Sequence, residues 1–278
     1  MPVDVLRDRP EMRFAAEGAA ALPLYLVSSG AELPAALSPA QAAFARAQGF
    51  SGALGSICLL PDAEGGLAGA LAGYGTVRQR ARQRFPLAGA AAKLPAAIWR
   101  LVHDLAPEAL ETEALGWLLE GYRFADYAKV TAPAARLVAP EGVDAGRIEV
   151  LAAGEALTRD LINTPANDLG PEELEAAVRA VGVRHGATVT AVAGEDLLLQ
   201  GYPLIHAVGR ASSRAPRLIE LRWGTEGPEL TLVGKGVCFD TGGLDLKAAA
   251  GMGLMKKDMG GAATVLGLAQ MIMALALP

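Results

Sequence analysis

The stretch TLVGKGVCFDTGGLDLKAAAGMGLMKKDMGGAATVLG, residues 231–267, combines a short apolar run with lysines, aspartates and repeated glycines. The apolar residues at its start favour a β-strand, which we predict over 229–233. The segment Gly234-Lys235-Gly236 ends this run abruptly. Lys235 is therefore predicted at the carboxyl end of a buried strand, which is where α/β sheets bind their ligands.

Three further charged residues follow Lys235 along the chain. Asp240 stands directly before Thr241-Gly242-Gly243, a turn whose glycines let the backbone come close to a ligand. Lys247 comes next, and Asp258 precedes an apolar, small-residue segment that we predict as a helix over 260–277. All four charges thus lie beside sequence that is expected to be buried.

A buried charge is costly unless it meets an opposite charge or a metal ion. Carboxylates are hard ligands suited to Mg, Mn or Zn, and a lysine can join them only as a neutral amine. The alternative is a set of two structural ion pairs. Both interpretations stay open on spacing alone, because K-x4-D-x6-K-x10-D is not a general chemical signature.

Three segments resemble the leucine aminopeptidase family, the hexameric two-metal exopeptidases of the cytosol. They are LINTPANDLGPEEL, VGKGVCFDTGG and KAAAGMGLMKKDMGGAA, at residues 161–174, 233–243 and 247–263. The resemblance implies that Lys235, Asp240 and Asp258 are metal ligands. In the family the aspartate at Asp240 bridges two ions, and the one at Asp258 binds the same ion as the lysine. The resemblance further implies that Lys247 stays charged and polarises the scissile carbonyl, and that Met255 borders the pocket for the substrate's first side chain.

The family's second signature, N-T-D-A-E-G-R, does not occur in these 278 residues. In the family it supplies two further acidic ligands and a bicarbonate-binding arginine. We therefore interpret the chain as the front part of an aminopeptidase. The 278-residue polypeptide alone is expected to bind at most one divalent ion weakly, to expose an apolar sheet edge prone to association, and to lack peptidase activity.

The fold is predicted to be α/β in three parts. These are a small N-terminal α/β domain over 1–135, a linker with a connecting helix over 136–170, and the truncated first part of a larger three-layer α/β/α metallopeptidase domain over 171–278. In the first part, strands are predicted over 22–28 and 56–60, and helices over 40–48, 94–105 and 107–122. In the remainder, helices are predicted over 147–162, 172–186 and 195–200, and a parallel sheet over 188–192, 204–208, 217–223 and 229–233.

Composition and charge narrow the class of protein further. A length of 278 residues with 52% hydrophobic content suits one large core or two domains. The net charge of -5 argues against a mainly nucleic-acid-binding surface, and the run Arg78, Arg80, Arg82, Arg84 is predicted to be solvated. Two distant cysteines, no apolar signal region at the start MPVDVLRDRP and no membrane span together predict a cytoplasmic protein.

The function that the resemblance implies is that of a leucyl aminopeptidase. Two divalent metal ions, Mn or Zn with Mg or Co as alternatives, would activate a water that releases N-terminal amino acids, preferably leucine, from peptides. The full-length protein is expected to form a hexamer. The alternative is a non-catalytic DNA-binding or scaffold protein built on the same fold. A nucleotide-binding fold fails on detail, since Gly234-x-Gly236 belongs to neither G-x-x-x-x-G-K-[ST] nor G-x-G-x-x-G.

Overall fold

The computed structural model describes residues 4–5 and 7–277, which divide into two compact units. The N-terminal unit comprises residues 9–152, and the C-terminal unit comprises residues 153–277 with the described residues of 1–8. The described residues leave out 1–3 and 6, which belong to the start predicted to hold no signal region. They also leave out residue 278, at the end of the last predicted segment. The boundaries 1–135, 136–170 and 171–278 stay a prediction.

A five-stranded sheet forms the centre of the N-terminal unit. Its strands are β1 (Leu22–Ser28), β2 (Ile57–Pro61), β3 (Leu67–Gly75), β4 (Ile98–Val102) and β5 (Arg136–Leu137). They lie in the order β2-β3-β1-β4-β5, and every neighbouring pair is parallel except β2 with β3. The helices are α1 (Pro39–Ala47), α2 (Val77–Arg80), α3 (Ala88–Ala91) and α4 (Pro107–Glu120). This mixture of strands and helices confirms the predicted α/β class.

Three strands supply fully buried side chains to the core of this unit. Leu24, Leu71 and Trp99, from β1, β3 and β4, are each 0% exposed. The predicted strand over 22–28 is confirmed, and the predicted elements over 56–60, 40–48 and 107–122 are each found within two residues of their expected bounds.

The helix predicted over 94–105 is wrong, because residues 98–102 form β4. Burial alternates along this strand: Trp99 and Leu101 are buried, whereas Arg100 and Val102 are exposed. A period of two is typical of a half-buried strand. The apolar residues that precede β4 lengthen the run and imitate a helical pattern in the sequence.

The arginine run after β3 is largely solvated, as predicted. Arg78, Arg82 and Arg84 are exposed. Arg80 is half-buried: its guanidinium lies 4.4 Å from the centre of the Tyr74 ring and donates hydrogen bonds to the carbonyls of Tyr74 and Gly75. One of the four arginines therefore has a structural role in holding α2 against β3.

Glu113 of α4 is a buried carboxylate with two hydrogen-bond donors. The Tyr74 hydroxyl donates to Oε1 at 2.6 Å, and the Leu87 amide donates to Oε2 at 2.8 Å. Burial raises the pKa of the Glu113 carboxyl and of the Tyr74 hydroxyl. Because both oxygens have donors, this cluster serves to fasten α4 to β3 and to the start of α3.

The C-terminal unit is built from helices around two strands. Its elements are α6 (Pro171–His185), β6 (Thr188–Ala193), α7 (Asp196–Leu199), α8 (Pro203–Gly209), β7 (Arg217–Arg222), α9 (Ala249–Met252), a 3-10 helix (Met255–Met259) and α10 (Gly260–Ala274). The helix α5 (Ala145–Asn163) contributes residues to both units. The helices predicted over 147–162, 172–186 and 195–200 and the strands predicted over 188–192 and 217–223 are confirmed within two residues of their bounds.

The predicted parallel arrangement of this second sheet is wrong for the described strands. β6 and β7 pair along their whole length in antiparallel register, from Thr188 opposite Arg222 to Ala193 opposite Arg217. The strand predicted over 204–208 is instead the helix α8, which starts with Pro203 at its first turn. Proline suits that position because it lacks the amide hydrogen that a helix start leaves unused. Leu204 and Val208 are exposed, so the apolar run that suggested a buried strand does not mark burial.

The strand predicted over 229–233 is also absent. Leu230 and Val233 are 74% and 87% exposed, and residues 229–233 pair with no strand among the described residues. A strand exists only where a neighbour shares its ladder hydrogen bonds, and neither β6 nor β7 pairs with residues 229–233. Lys235 therefore follows an irregular, largely exposed segment. The expected association of the chain stays a prediction, which the exposed side chains of Leu230 and Val233 support.

The apolar segment after Asp258 is the buried helix that the sequence predicts. It forms α10, whose side chains Ala263, Leu266 and Met273 belong to the core of the C-terminal unit. α10 has 15 residues. Within residues 4–5 and 7–277, no helix is both long and apolar enough to cross a membrane.

Two glycines allow α5 and α10 to approach closely. A Cβ added at Gly267 would lie 2.7 Å from the carbonyl oxygen of Gly154 and still closer to the Thr158 hydroxyl. A Cβ added at Gly154 would lie 2.6 Å from the side chain of Met271. Contacts this short do not occur between real side chains, so both positions require glycine for packing.

Gly267→Ala is expected to lower the free energy of unfolding by about 1–3 kcal/mol, the usual cost of overpacking, despite the better helix propensity of alanine. The matched control is Gly251→Ala in α9, where an added Cβ meets no atom within 4 Å. Urea unfolding followed by circular dichroism measures both variants. Equal stability of Gly267→Ala and the wild type would contradict the close contact.

Candidate metal centre

The position of Lys235 is set by close packing of its backbone on the start of α10. The Ala262 amide donates a hydrogen bond to the Lys235 carbonyl at 2.9 Å. A Cβ added at Gly234 would lie 2.6 Å from the Gly261 carbonyl oxygen, and one added at Gly261 would lie 2.8 Å from the Lys235 nitrogen. Glycine at both positions therefore permits the approach that brings the Lys235 side chain to Asp258.

Asp258 lies in the 3-10 helix Met255–Met259, directly before α10. Its neighbour Met259 is 0% exposed and anchors the turn in the core. The Lys235 ammonium nitrogen lies 2.5 Å from Oδ2 of Asp258. This contact has the distance of an ion pair but lacks hydrogen-bond geometry, so the buried Oδ2 has no hydrogen-bond donor among the described residues. The Lys235 ammonium compensates the charge of this oxygen, and a carboxylate is a donor that also binds divalent cations.

Asp240 is held by the glycine turn that follows it. The Gly242 amide donates to Oδ1 of Asp240 at 2.7 Å, and Gly242 and Gly243 have φ angles of 79° and 116°. Only glycine adopts such angles without strain. The Lys247 ammonium, then the Gly242 amide, lower the pKa of the Asp240 carboxyl. Asp240 therefore presents a charged carboxylate, as a metal ligand requires.

Lys247 contacts two of the other predicted residues, Asp240 and Met255. Its ammonium nitrogen is 2.7 Å from Oδ2 of Asp240 and 2.9 Å from the sulfur of Met255. The Lys247 amide also donates to the Thr241 carbonyl at 3.0 Å, which closes the loop. The predicted catalytic lysine, the predicted bridging aspartate and the predicted pocket methionine are thus in contact.

The five predicted residues form two groups, Lys235 with Asp258 and Lys247 with Asp240 and Met255. The two groups interact electrostatically, since the Lys235 charge also lowers the pKa of Asp240. This pairing matches the ion-pair alternative in geometry. The donor set of two carboxylates and one amine nevertheless fits a divalent cation.

The described residues supply a limited set of donors. No three His, Cys, Asp or Glu side chains within that part of the chain lie close enough together to hold a metal ion. A metal ion at this site would therefore depend on the Lys235 amine beside Asp240 and Asp258.

Sequence reasoning missed two long-range contacts in the C-terminal unit. Lys256 donates to the carbonyl of Asn163 at 2.8 Å. Arg214 donates to the Ala166 carbonyl at 3.3 Å and pairs with Glu173 at the start of α6. Neither could be found from spacing, because each joins residues more than 40 positions apart.

Comparison with known proteins connects this geometry to a family. Residues 22–140 match the model of the M17 aminopeptidase N-terminal domain, and residues 156–278 match the catalytic domain of the cytosol aminopeptidase family. A probable cytosol aminopeptidase of Rhodococcus erythropolis is 35% identical over 214 residues, which are 69% of this chain and 41% of that protein.

Two solved structures resemble most of the chain. The cytosol aminopeptidase of Coxiella burnetii superposes with a TM-score of 0.84 at 38% identity, covering 96% of this chain and 58% of that one. The bottromycin maturation enzyme BotP in complex with Mn gives a TM-score of 0.76 at 31% identity, with coverage of 94% and 57%. The chain thus spans about half the length of these relatives. Two adjoining domain models of one family, supported by these relatives, show that the chain belongs to the M17 cytosol aminopeptidase family.

Proposed function

We propose that the protein is a metal-dependent aminopeptidase that releases N-terminal amino acids, preferably leucine, from peptides. The observation that carries the proposal is the convergence of Lys235, Asp258, Asp240, Lys247 and Met255 in a chain of this family. A scaffold would not need this set of charges in contact with one another.

Lys235, Asp240 and Asp258 are the residues that would hold divalent metal ions, with Asp240 bridging two of them. When bound, such ions lower the pKa of a water and polarise a carbonyl. The Asp240 carboxylate is already charged. An amine can bind a metal ion only when it is neutral, because an ammonium has no lone pair to donate. The Mn complex of the BotP relative supports Mn as one such ion, with Zn as the second candidate.

Lys247 and Met255 act on the substrate in this proposal. The Lys247 ammonium would offset negative charge that develops on the carbonyl oxygen as the peptide bond is attacked, the role of an oxyanion hole. Met255 would contact the first side chain of the peptide through its apolar, adaptable thioether. Their contact at 2.9 Å places the charged group next to the pocket.

We further propose that the native protein acts in the cytoplasm as a homo-oligomer, a hexamer as in the leucine aminopeptidases it resembles. These proposals rest on the family and on the cytosol aminopeptidase names of its relatives. Peptides are its proposed partners.

The native form of the protein is expected to hydrolyse leucine amide in the presence of Mn²⁺ or Zn²⁺. A chelator should abolish the activity and added Mn²⁺ should restore it. N-acetyl-leucine amide is the matched substrate control, because an exopeptidase of this kind requires the free amino group. DNA binding by a native form that cleaves neither substrate would replace this proposal with the scaffold alternative.

A further inference from the structure

The turn that carries Asp258 and Met255 is short and weakly held by its own hydrogen bonds. It is a 3-10 helix of 5 residues, Met255–Met259. Such helices have poorer hydrogen-bond geometry than α-helices and rarely persist alone. The directions of the Asp258 and Met255 side chains therefore depend on what anchors the turn from outside.

Lys256, which lies between these two residues in the chain, provides such an anchor. Its ammonium donates a hydrogen bond of 2.8 Å to the carbonyl of Asn163, the last residue of α5. The last four carbonyls of a helix have no partner within the helix, and they carry the negative end of its dipole. A half-buried ammonium at this place makes a charge-assisted bond, which is stronger than a neutral one.

The neighbouring lysine has a different environment. Lys257 follows directly but is exposed. The two side chains share charge, length and helical turn, and they differ in contact with α5. Lys257 is therefore a matched control for any effect of removing one positive charge beside Asp258.

We propose that Lys256 is a positioning residue, which ties the Met255–Met259 turn to the carboxyl end of α5 and thereby orients Asp258 toward the metal and Met255 toward the substrate. This role rests on the proposed function. Residues that support metal ligands without touching the ion contribute about 10–100-fold to metal affinity. Lys256 would raise metal affinity by a similar factor, acting through the backbone of the turn.

Two measurements on the native form of the protein test the proposal. Hydrogen exchange of the amides of residues 255–262, without added metal, reports on the tether alone. Titration with Mn²⁺, followed by electron paramagnetic resonance, reports on the ligands. We expect Lys256→Met to exchange at least about tenfold faster in this segment, because a hydrogen bond to a charged group is lost, and to bind Mn²⁺ about tenfold more weakly.

Lys257→Met should leave the exchange rate and the Mn²⁺ affinity unchanged. Lys256→Arg should keep both near the wild-type values, because arginine is a charged donor of similar reach. Circular dichroism shows whether Lys256→Met still folds. If it does not, Lys256→Gln is measured in its place. If the wild type binds Mn²⁺ but Lys256→Met exchanges its amide hydrogens no faster, Lys256 does not anchor the turn. The proposed function would be unaffected by that result. If Lys256→Met exchanges faster but binds Mn²⁺ as tightly as the wild type, Lys256 anchors the turn but does not orient Asp258 toward the metal. A wild-type native form that binds no Mn²⁺ would overturn the proposed function, and the role of Lys256 in metal binding with it.

Discussion

Asp240→Asn is expected to reduce kcat/KM for leucine amide by at least about 1000-fold in the native form of the protein, because two-metal catalysis needs both ions held around the attacking water. Asparagine has nearly the same size and shape as aspartate, but it carries no charge. The substitution therefore keeps the turn at Gly242 and removes the ligand that we propose bridges the ions. Steady-state hydrolysis at saturating Mn²⁺ is the measurement.

The chain offers a close control for this substitution. Asp245 lies in the same loop, is exposed, and has a φ of 57°, a conformation that asparagine also tolerates. Asp245→Asn should therefore keep near-normal activity and rule out a general effect of charge in the loop. Near-normal hydrolysis by Asp240→Asn would remove Asp240 from the metal site.

Strands β1 and β2 and helices α5 and α6 could be predicted because their local patterns agree with their packing. β1 is an apolar run bounded by turns, and α6 begins with Gly170-Pro171 and acidic residues in its first turn. Such signals are contained within a few residues. They survive in the folded chain because no distant contact opposes them.

The failures have the opposite cause. Whether residues 229–233 form a strand depends on a neighbour, which no local pattern specifies. α8 is apolar yet exposed, so hydrophobicity misled the prediction over 204–208. The antiparallel pairing of β6 with β7 likewise depends on register between separate segments.

The candidate site could be predicted as a set of residues, but not as a geometry. Its residues fall within 24 positions, and the resemblance gave each a role. The pairing of Lys235 with Asp258, instead of with the nearer Asp240, arises from the contact of Gly234 with Gly261. That contact appears in the sequence only as two small residues among many.

Lys235 and Lys247 are expected to respond differently to the same substitution by arginine. A guanidinium stays protonated in proteins and cannot act as a neutral nitrogen ligand. Lys235→Arg should therefore weaken Mn²⁺ binding by about 100-fold or more, beyond the effect of losing a supporting residue. Lys247→Arg keeps the positive charge, so it should change Mn²⁺ affinity little.

The cost of Lys247→Arg should appear in the chemical step instead. The planar guanidinium of arginine cannot reproduce the compact charge of the Lys247 ammonium, which lies 2.7 Å from Asp240 and 2.9 Å from the Met255 sulfur. We expect kcat to fall by about 100–1000-fold, the usual loss when one oxyanion-stabilising group is removed. KM should change less, because the interaction is made mainly in the transition state.

Mn²⁺ titration and steady-state kinetics on the same preparations separate the two lysines. Lys257→Arg serves as the control, since Lys257 is exposed on the turn beside the site and should tolerate the change in both assays. If the Lys235 and Lys247 variants bind Mn²⁺ equally well, Lys235 keeps its ammonium and the ion pair with Asp258 is structural. The metal would then have to be held by Asp240 with donors other than Lys235, and the ion-pair interpretation of Lys235 and Asp258 would be the correct one.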